Sequence, residues 1–98
     1  MVTINKLIHE RARLLIMSYL ASNENKVISY NELLDKLEFS SGNLSVQLKK
    51  LKDAEYLEIK KTFKDNKPYT TVSISQQGME ALNKYVEEME GIIQSIKK

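Results

Sequence analysis

The apolar residues of this chain keep a helical three- and four-residue spacing almost throughout. They turn to alternation in only two short runs, Leu57-Glu58-Ile59-Lys60 and Thr70-Thr71-Val72-Ser73-Ile74. A period near 3.6 gathers apolar side chains on one stripe of a helix, and a period of 2 gathers them on one face of a sheet. The order in which those periods occur restricts the chain to a mainly α domain with one β-hairpin late in its length, an α+β fold.

Ile4, Leu7, Ile8, Ala12, Leu15, Ile16, Tyr19 and Leu20 predict a buried helix from about Ile4 to Ala21. Leu14 and Met17 widen its stripe, enough to touch both a domain core and a second subunit. Three serines punctuate the rest of the chain. Ser29 stands three residues before Glu32, the capping-box spacing, and opens a short helix to about Leu37. Ser40 opens another over about 41–55, and Ser75 caps a long one over about 76–96. Val27-Ile28 has room for a strand fragment only. Lys64-Asp65-Asn66-Lys67-Pro68 reads as a loop of turn residues with a basic tip, in which Pro68 fixes one φ and removes a donor. The elements run helix, helix, helix, hairpin, long helix, as one domain over 1–98.

Composition narrows the function classes. With 42% hydrophobic and 29% charged residues the chain has ordinary globular usage, which sets intrinsic disorder aside. Its longest apolar run, Leu14-Leu15-Ile16-Met17, falls far short of the roughly 18 residues of a membrane span. No apolar stretch follows Lys6, so neither a secretory signal nor a membrane partner is expected. Cysteine is absent, which removes disulfides, thiolate metal sites and thiol nucleophiles and fits a cytoplasmic protein. His9, the one histidine, lacks the further donors a metal site needs. The three glycines are scattered, and no Ser/His/Asp set or acid pair shows a catalytic spacing. Neither catalysis, nor a cofactor, nor a metal is expected.

The net charge is only +2, from 15 basic and 13 acidic side chains. By segment it is zero over 1–40, +3 over 41–75 and −1 over 76–98. The basic excess thus falls on the third helix and the hairpin. Two short helices split by a tight turn and followed by a hairpin make a helix-turn-helix with a wing, whose second helix lies in the major groove. At about 100° per residue, Leu44, Leu48 and Leu51 fall inward. Gly42, Val46, Lys49, Lys50 and Asp53 fall outward, with Asn43 and Ser45 on the flanks. Asn43 and Ser45 can bond base edges or phosphate, Val46 can touch a thymine methyl, and Lys49 and Lys50 can meet phosphate. The first-turn N–H groups at Ser41 and Gly42 offer a further phosphate contact. On spacing alone the same residues also read as a solvated helix face.

Three stretches resemble the small winged-helix regulators of the MarR/ArsR-like type. Leu7-Ile8-His9-Glu10-Arg11-Ala12-Arg13-Leu14-Leu15-Ile16 is similar to their opening helix. Phe39 to Leu51, followed by Ala54-Glu55-Tyr56-Leu57, is similar to their recognition helix running into the first wing strand. Lys67 to Gly78 is similar to the second wing strand and the start of the last helix. The resemblance implies a homodimer that binds pseudo-palindromic promoter DNA and regulates transcription. It places groove contacts on Ser41, Asn43, Ser45, Val46 and Lys49, and wing contacts on Lys64 and Lys67. Val46 stands where relatives often carry Arg or His, Gln47 replaces a frequent His, and the wing carries Lys where Arg is common.

A last helix of about 21 residues spans roughly 30 Å, more than a domain of this size covers. Leu82, Tyr85, Val86, Met89, Ile92, Ile93 and Ile96, joined by Ile4, Leu7 and Ile8, are therefore expected to form a dimer interface. Tyr30 and Tyr69 stand open between a phosphate contact and packing at the core edge. An unknown small-molecule effector has room between the DNA-binding lobe and the dimer helices, though no residue constellation marks it. The rival reading is a winged-helix protein-interaction module of a larger complex, without direct DNA readout.

Overall fold

A computed structural model describes residues 3–97. The chain is a winged helix. Its elements are α1 (Arg11–Ser22), β1 (Ile28–Ser29), α2 (Tyr30–Leu37), α3 (Ser41–Asp53), β2 (Leu57–Lys64), β3 (Lys67–Ile74) and α4 (Gln76–Ile96). The strands form one antiparallel sheet in the order β1-β3-β2, with Ile28 opposite Val72 and Leu57 opposite Ile74. All three serine caps form: Ser29, Ser40 and Ser75 accept from the backbone N–H groups of Glu32, Asn43 and Gly78. Each satisfies a donor that the first helical turn leaves without a partner.

The first helix is shorter than its periodicity predicts. Asn5 turns its Oδ1 to the N–H groups of Leu7 and Ile8, at 3.0 and 3.1 Å, and holds residues 5–9 in a separate turn. Glu10 is then extended (φ −147°, ψ 135°), and its carboxylate caps α1 by accepting from the Arg13 N–H. Side-chain oxygens compete with the helical ladder at both points, and the ladder starts again only after the second. The capping box at Ser29 is half formed, because Glu32 receives the Tyr19 hydroxyl instead of reaching back.

Two further boundaries move for local reasons. α3 stops at Asp53, since Glu55 turns left-handed (φ 64°) and the N–H groups of Glu55 and Tyr56 close back on the carbonyls of Lys52 and Leu51. That pair of bonds is a Schellman stop. The hairpin loop is two residues, not five. Asp65 and Asn66 both take positive φ (54° and 64°), the backbone of a type I′ turn, and both strands run up to it. Pro68 lies inside β3 opposite Phe63. At that pair the backbone N–H would point away from β2 and β1 does not reach it, so no ladder bond is lost.

Ile8, Ile16, Met17, Leu20, Ile28, Leu33, Leu44, Leu48, Leu51, Leu57, Val72, Leu82 and Tyr85 form one core. Among the described residues no charged or polar side chain is buried with them. The radius of gyration, 14.8 Å, exceeds the roughly 13 Å of a compact chain of this length. The hairpin tip and the second half of α4 account for the excess, since both carry exposed side chains beyond the core.

One corner ties α3, the sheet and α4 together. The Ser75 N–H donates to the Tyr56 carbonyl and the Ser75 hydroxyl to the Glu55 carbonyl, while Gly78 lies against the same Tyr56 oxygen. A Cβ on Gly78 would collide with that backbone oxygen and stand 3.0 Å from Ile74 Cγ1. Gly91 has nothing within 4 Å and lies on the side of α4 opposite Leu82. Gly78→Ala is therefore expected to lower stability by about 1–3 kcal/mol. Gly91→Ala is expected to raise it by up to about 1 kcal/mol. Urea unfolding of the two variants checks both signs.

Candidate nucleic-acid interface

The buried face of α3 sets which residues are presented. Leu44, Leu48 and Leu51 are 0, 4 and 0% exposed. Ser41, Gly42, Asn43, Ser45, Val46, Lys49 and Lys50 all lie on the open side. The residues assigned to the groove from the sequence thus share one surface, where they could also have been divided between core and solvent.

Contacts from neighbouring helices orient that surface. Tyr30, from α2, donates its hydroxyl to the Ser41 carbonyl at 2.9 Å and lies 2.9 Å from the Ser45 hydroxyl. A phenol carries one proton, so Ser45 is the donor in the second bond and keeps its lone pairs free. Tyr30 accordingly packs at the α2–α3 junction as a positioning residue. From α1, Arg13 donates to Gln47 Oε1 at 2.7 Å, and Gln47 Nε2 donates to Asn43 Oδ1 at 3.0 Å. Lys49 pairs with Asp53 at 3.0 Å, but both side chains are more than half exposed. Such a pair contributes at most about 1 kcal/mol and yields readily to a phosphate.

The wing adds residues that the sequence reading did not single out. Strand alternation puts Ile59, Lys61 and Phe63 on one face of β2. Tyr30, Ser45, Lys49, Lys52, Ile59 and Lys61 line an open groove of about 440 Å³ between α3 and the sheet. Phe63 is 78% exposed at the tip of the same face. The signal was present in the sequence, since Lys61 and Phe63 continue the phase of Leu57 and Ile59. The alternating run of apolar and polar residues stops at Lys60, because Lys61 and Phe63 keep its phase but not its polarity, whereas β2 runs on to Lys64. Lys64 and Lys67 face one another across β2 and β3 on the other side, with the Lys64 ammonium 5.0 Å from the Tyr69 ring centre.

The residues expected at a dimer interface divide. Ile8, Leu82 and Tyr85 are 0, 6 and 4% exposed and belong to this chain's own core, which corrects their assignment. The N-terminal turn seats Ile8, and the first half of α4 lies on the domain and uses up Leu82 and Tyr85. Ile4, Leu7 and Met89 are half-buried against that core, and Ile92 is half-buried farther along α4. Val86, Ile93 and Ile96 remain open at 44, 45 and 77%. His9 bonds the Tyr85 hydroxyl at 2.7 Å. A shallow groove of about 310 Å³, lined by Asn5, Tyr56, Ala81, Lys84 and Tyr85 among others, lies between the N-terminal segment and α4.

Residues 12–93 match the winged helix DNA-binding domain family, and the chain belongs to it. An uncharacterized protein of Methanocaldococcus jannaschii is 33% identical over 60 residues, which cover 61% of this chain and 65% of that protein. Among solved structures, a transcriptional regulator homologue from Pyrococcus horikoshii superposes with a TM-score of 0.87 at 21% identity, covering 96% of this chain and 91% of that one. A point mutant of MepR from a multidrug-resistant clinical isolate of Staphylococcus aureus superposes at 0.77 with 11% identity, covering 93% of this chain and 65% of that one. HlyU from Vibrio cholerae superposes at 0.61 with 22% identity, covering 80% and 78%. At these identities the likeness is one of fold. No helix among the described residues is long and apolar enough to cross a membrane.

Two ionisable groups carry a pH signature. The Arg13 N–H bond holds the Glu10 carboxyl below the usual 4.5, against a smaller opposing effect of burial, with help from the Ala12 N–H and the charges of Arg13 and Lys50. The bond to Glu32 raises the Tyr19 phenol above 10, aided by burial and by the charges of Glu32 and Asp35. A depressed carboxyl stabilises the fold above its unfolded value, and that contribution is lost as pH falls through the folded one. A raised phenol stabilises below its unfolded value and loses its contribution as pH rises through the folded one. Thermal unfolding of Glu10→Gln is expected to fall less steeply than wild type on the acid side of pH 4.5. Tyr19→Phe should flatten the alkaline limb above pH 10.

Proposed function

We propose that this chain is a homodimeric, sequence-specific regulator of transcription of the MarR/ArsR-like type, acting in the cytoplasm as a repressor that occupies pseudo-palindromic promoter DNA. The single open face on which α3 carries Ser41, Gly42, Asn43, Ser45, Val46, Lys49 and Lys50 is the observation that supports its DNA-facing role, and Gly42 suits that role. A glycine inside a helix costs about 1 kcal/mol relative to alanine. A Cβ there would meet nothing of this chain within 4 Å, so the protein's own packing does not require the glycine. On the open face of α3, a position without a Cβ leaves room for close approach by the backbone of a partner.

In this reading α3 enters the major groove, with Asn43, Ser45 and Val46 at base edges. Ser41, Gly42, Lys49 and Lys50 meet phosphates. Lys52 and Lys61 follow the backbone along the groove beside the sheet, Phe63 meets the sugar edge, and Lys64 and Lys67 hold the wing by charge. Val86, Met89, Ile92, Ile93 and Ile96 of α4, with Ile4 and Leu7, bury against a second copy. The two copies of α3 then enter successive major grooves about 34 Å apart. The chemistry is binding, without catalysis or cofactor.

Fluorescence anisotropy with promoter-region duplexes at two salt concentrations tests the DNA reading. Lys49→Ala is expected to weaken all sequences alike and to reduce the salt slope by about one. Asn43→Ala is expected to lose about 5- to 150-fold of discrimination at one base pair. Gly42→Ala should bind more weakly while unfolding no earlier than wild type. Binding without sequence preference, or unchanged in all three variants, removes α3 from the groove and leaves the protein-interaction reading. For the dimer, Ile93→Lys should sediment as a folded monomer, and an unchanged dimer rules out the α4 seam.

A further inference from the structure

We infer that Arg13 and Gln47 fix the hydrogen-bond polarity with which Asn43 meets DNA, so that Asn43 reads an acceptor. This inference rests on the DNA-binding reading of α3. An amide side chain can present either its oxygen or its NH₂, but a guanidinium has only donors. Arg13 Nη1 lies 2.7 Å from the end of Gln47, so the Gln47 atom there is the oxygen. The Gln47 NH₂ is therefore the group 3.0 Å from Asn43, and Asn43 meets it with Oδ1. The Asn43 NH₂ is left on the open edge of α3.

Arg13 is itself held. Its Nε donates to the Leu7 carbonyl, Nη1 stands 3.6 Å from the Glu10 carboxylate, and the side chain is 11% exposed. Polarity thus passes from a nearly buried guanidinium on α1, through Gln47, to the surface of α3. A free asparagine offers both amide atoms together and pairs with adenine through N6 and N7. Asn43 has its oxygen engaged and leads with its donor. Its complement is an acceptor: guanine O6 or N7, thymine O4, adenine N7, or a phosphate oxygen. The amino groups of cytosine and adenine are disfavoured. Gln47 and Arg13 act through Asn43 and are positioning residues.

Gln47→Glu tests this by reversing the relay. Glutamate still accepts from Arg13 but has no proton to give, so Asn43 must donate its NH₂ inward and turn Oδ1 outward. If Asn43 meets a base, selection from randomised duplexes should show one position changing from an acceptor-bearing to an amino-bearing base, by about 5- to 100-fold. If it meets phosphate, Gln47→Glu should weaken all sequences together, and one methylphosphonate in the duplex should remove the wild-type advantage. The base change supports the relay, as does a uniform weakening that the methylphosphonate removes; a uniform weakening that survives it is repulsion by the added carboxylate and overturns the relay. Unchanged preference and affinity in Gln47→Glu, with wild type binding normally, overturns it. Wild type that binds no DNA overturns the underlying reading instead.

Side-chain amide exchange by NMR on the free chain decides the polarity without DNA. The Gln47 NH₂ should be protected and the Asn43 NH₂ unprotected in wild type, with Asn43 becoming protected in Gln47→Glu. An Asn43 NH₂ already protected in wild type overturns the inference. Arg13→Met should lose base discrimination more than affinity, whereas a purely structural role would lower its unfolding temperature and leave base preference unmoved.

Discussion

Leu44, Leu48 and Leu51 occupy the centre of the core, and the rotation of α3 about its own axis is set by their burial. Burying one leucine stabilises by about 1.5–3 kcal/mol, so three outweigh any surface ion pair on the same helix several-fold. A turn of α3 by one residue would expose leucine and bury Lys49 or Ser45. That cost commits Gly42, Asn43, Ser45, Val46 and Lys49 to the outside. Tyr30 from α2 and Arg13 from α1 then act as fine adjustments, each fixing the direction of hydrogen bonds on an already chosen face.

The rest of the molecule extends from that core in two directions. The Schellman stop after α3 and the close approach of Gly78 to Tyr56 turn the chain into the sheet and then into α4. On the tip side of Thr71 the sheet has two strands only, because β1 ends, and the hairpin stands clear with Lys61, Phe63, Lys64 and Lys67 exposed. α4 spends Leu82 and Tyr85 on its own domain and carries Val86, Ile93 and Ile96 out of it. The two projections differ in chemistry: the wing is basic with one exposed aromatic, and the end of α4 is apolar with acidic flanks.

Much of this was legible along the chain, where causes are local. Serine caps act within three residues, and Ser29, Ser40 and Ser75 start their helices where spacing says they should. The inward leucines of α3 and the outward set opposite them also came from the 3.6 period, as did the span of α4. The failures have local competitors that periodicity does not register. Asn5 and Glu10 interrupt an apolar pattern suited to one helix by offering side-chain acceptors to the backbone. Asp65 and Asn66 enter the left-handed region and shorten the turn, which puts Lys64, Lys67 and Pro68 on the wing strands.

What no periodicity contains is how surface is shared between elements far apart in sequence. Leu82 and Tyr85 read as interface because their stripe is continuous with Ile93 and Ile96, and Ile8 because it follows Ile4 and Leu7 in the N-terminal segment; only packing within the domain divides these residues into core and exposed parts. Likewise Gln47 is an unremarkable polar residue until α1 brings a donor-only guanidinium to within 2.7 Å of it. Helix phase is a property of nearest neighbours along the chain, and the residues carry it with them. Burial and hydrogen-bond polarity depend on partners about 34 to 76 residues away, and the chain acquires them only when the elements meet.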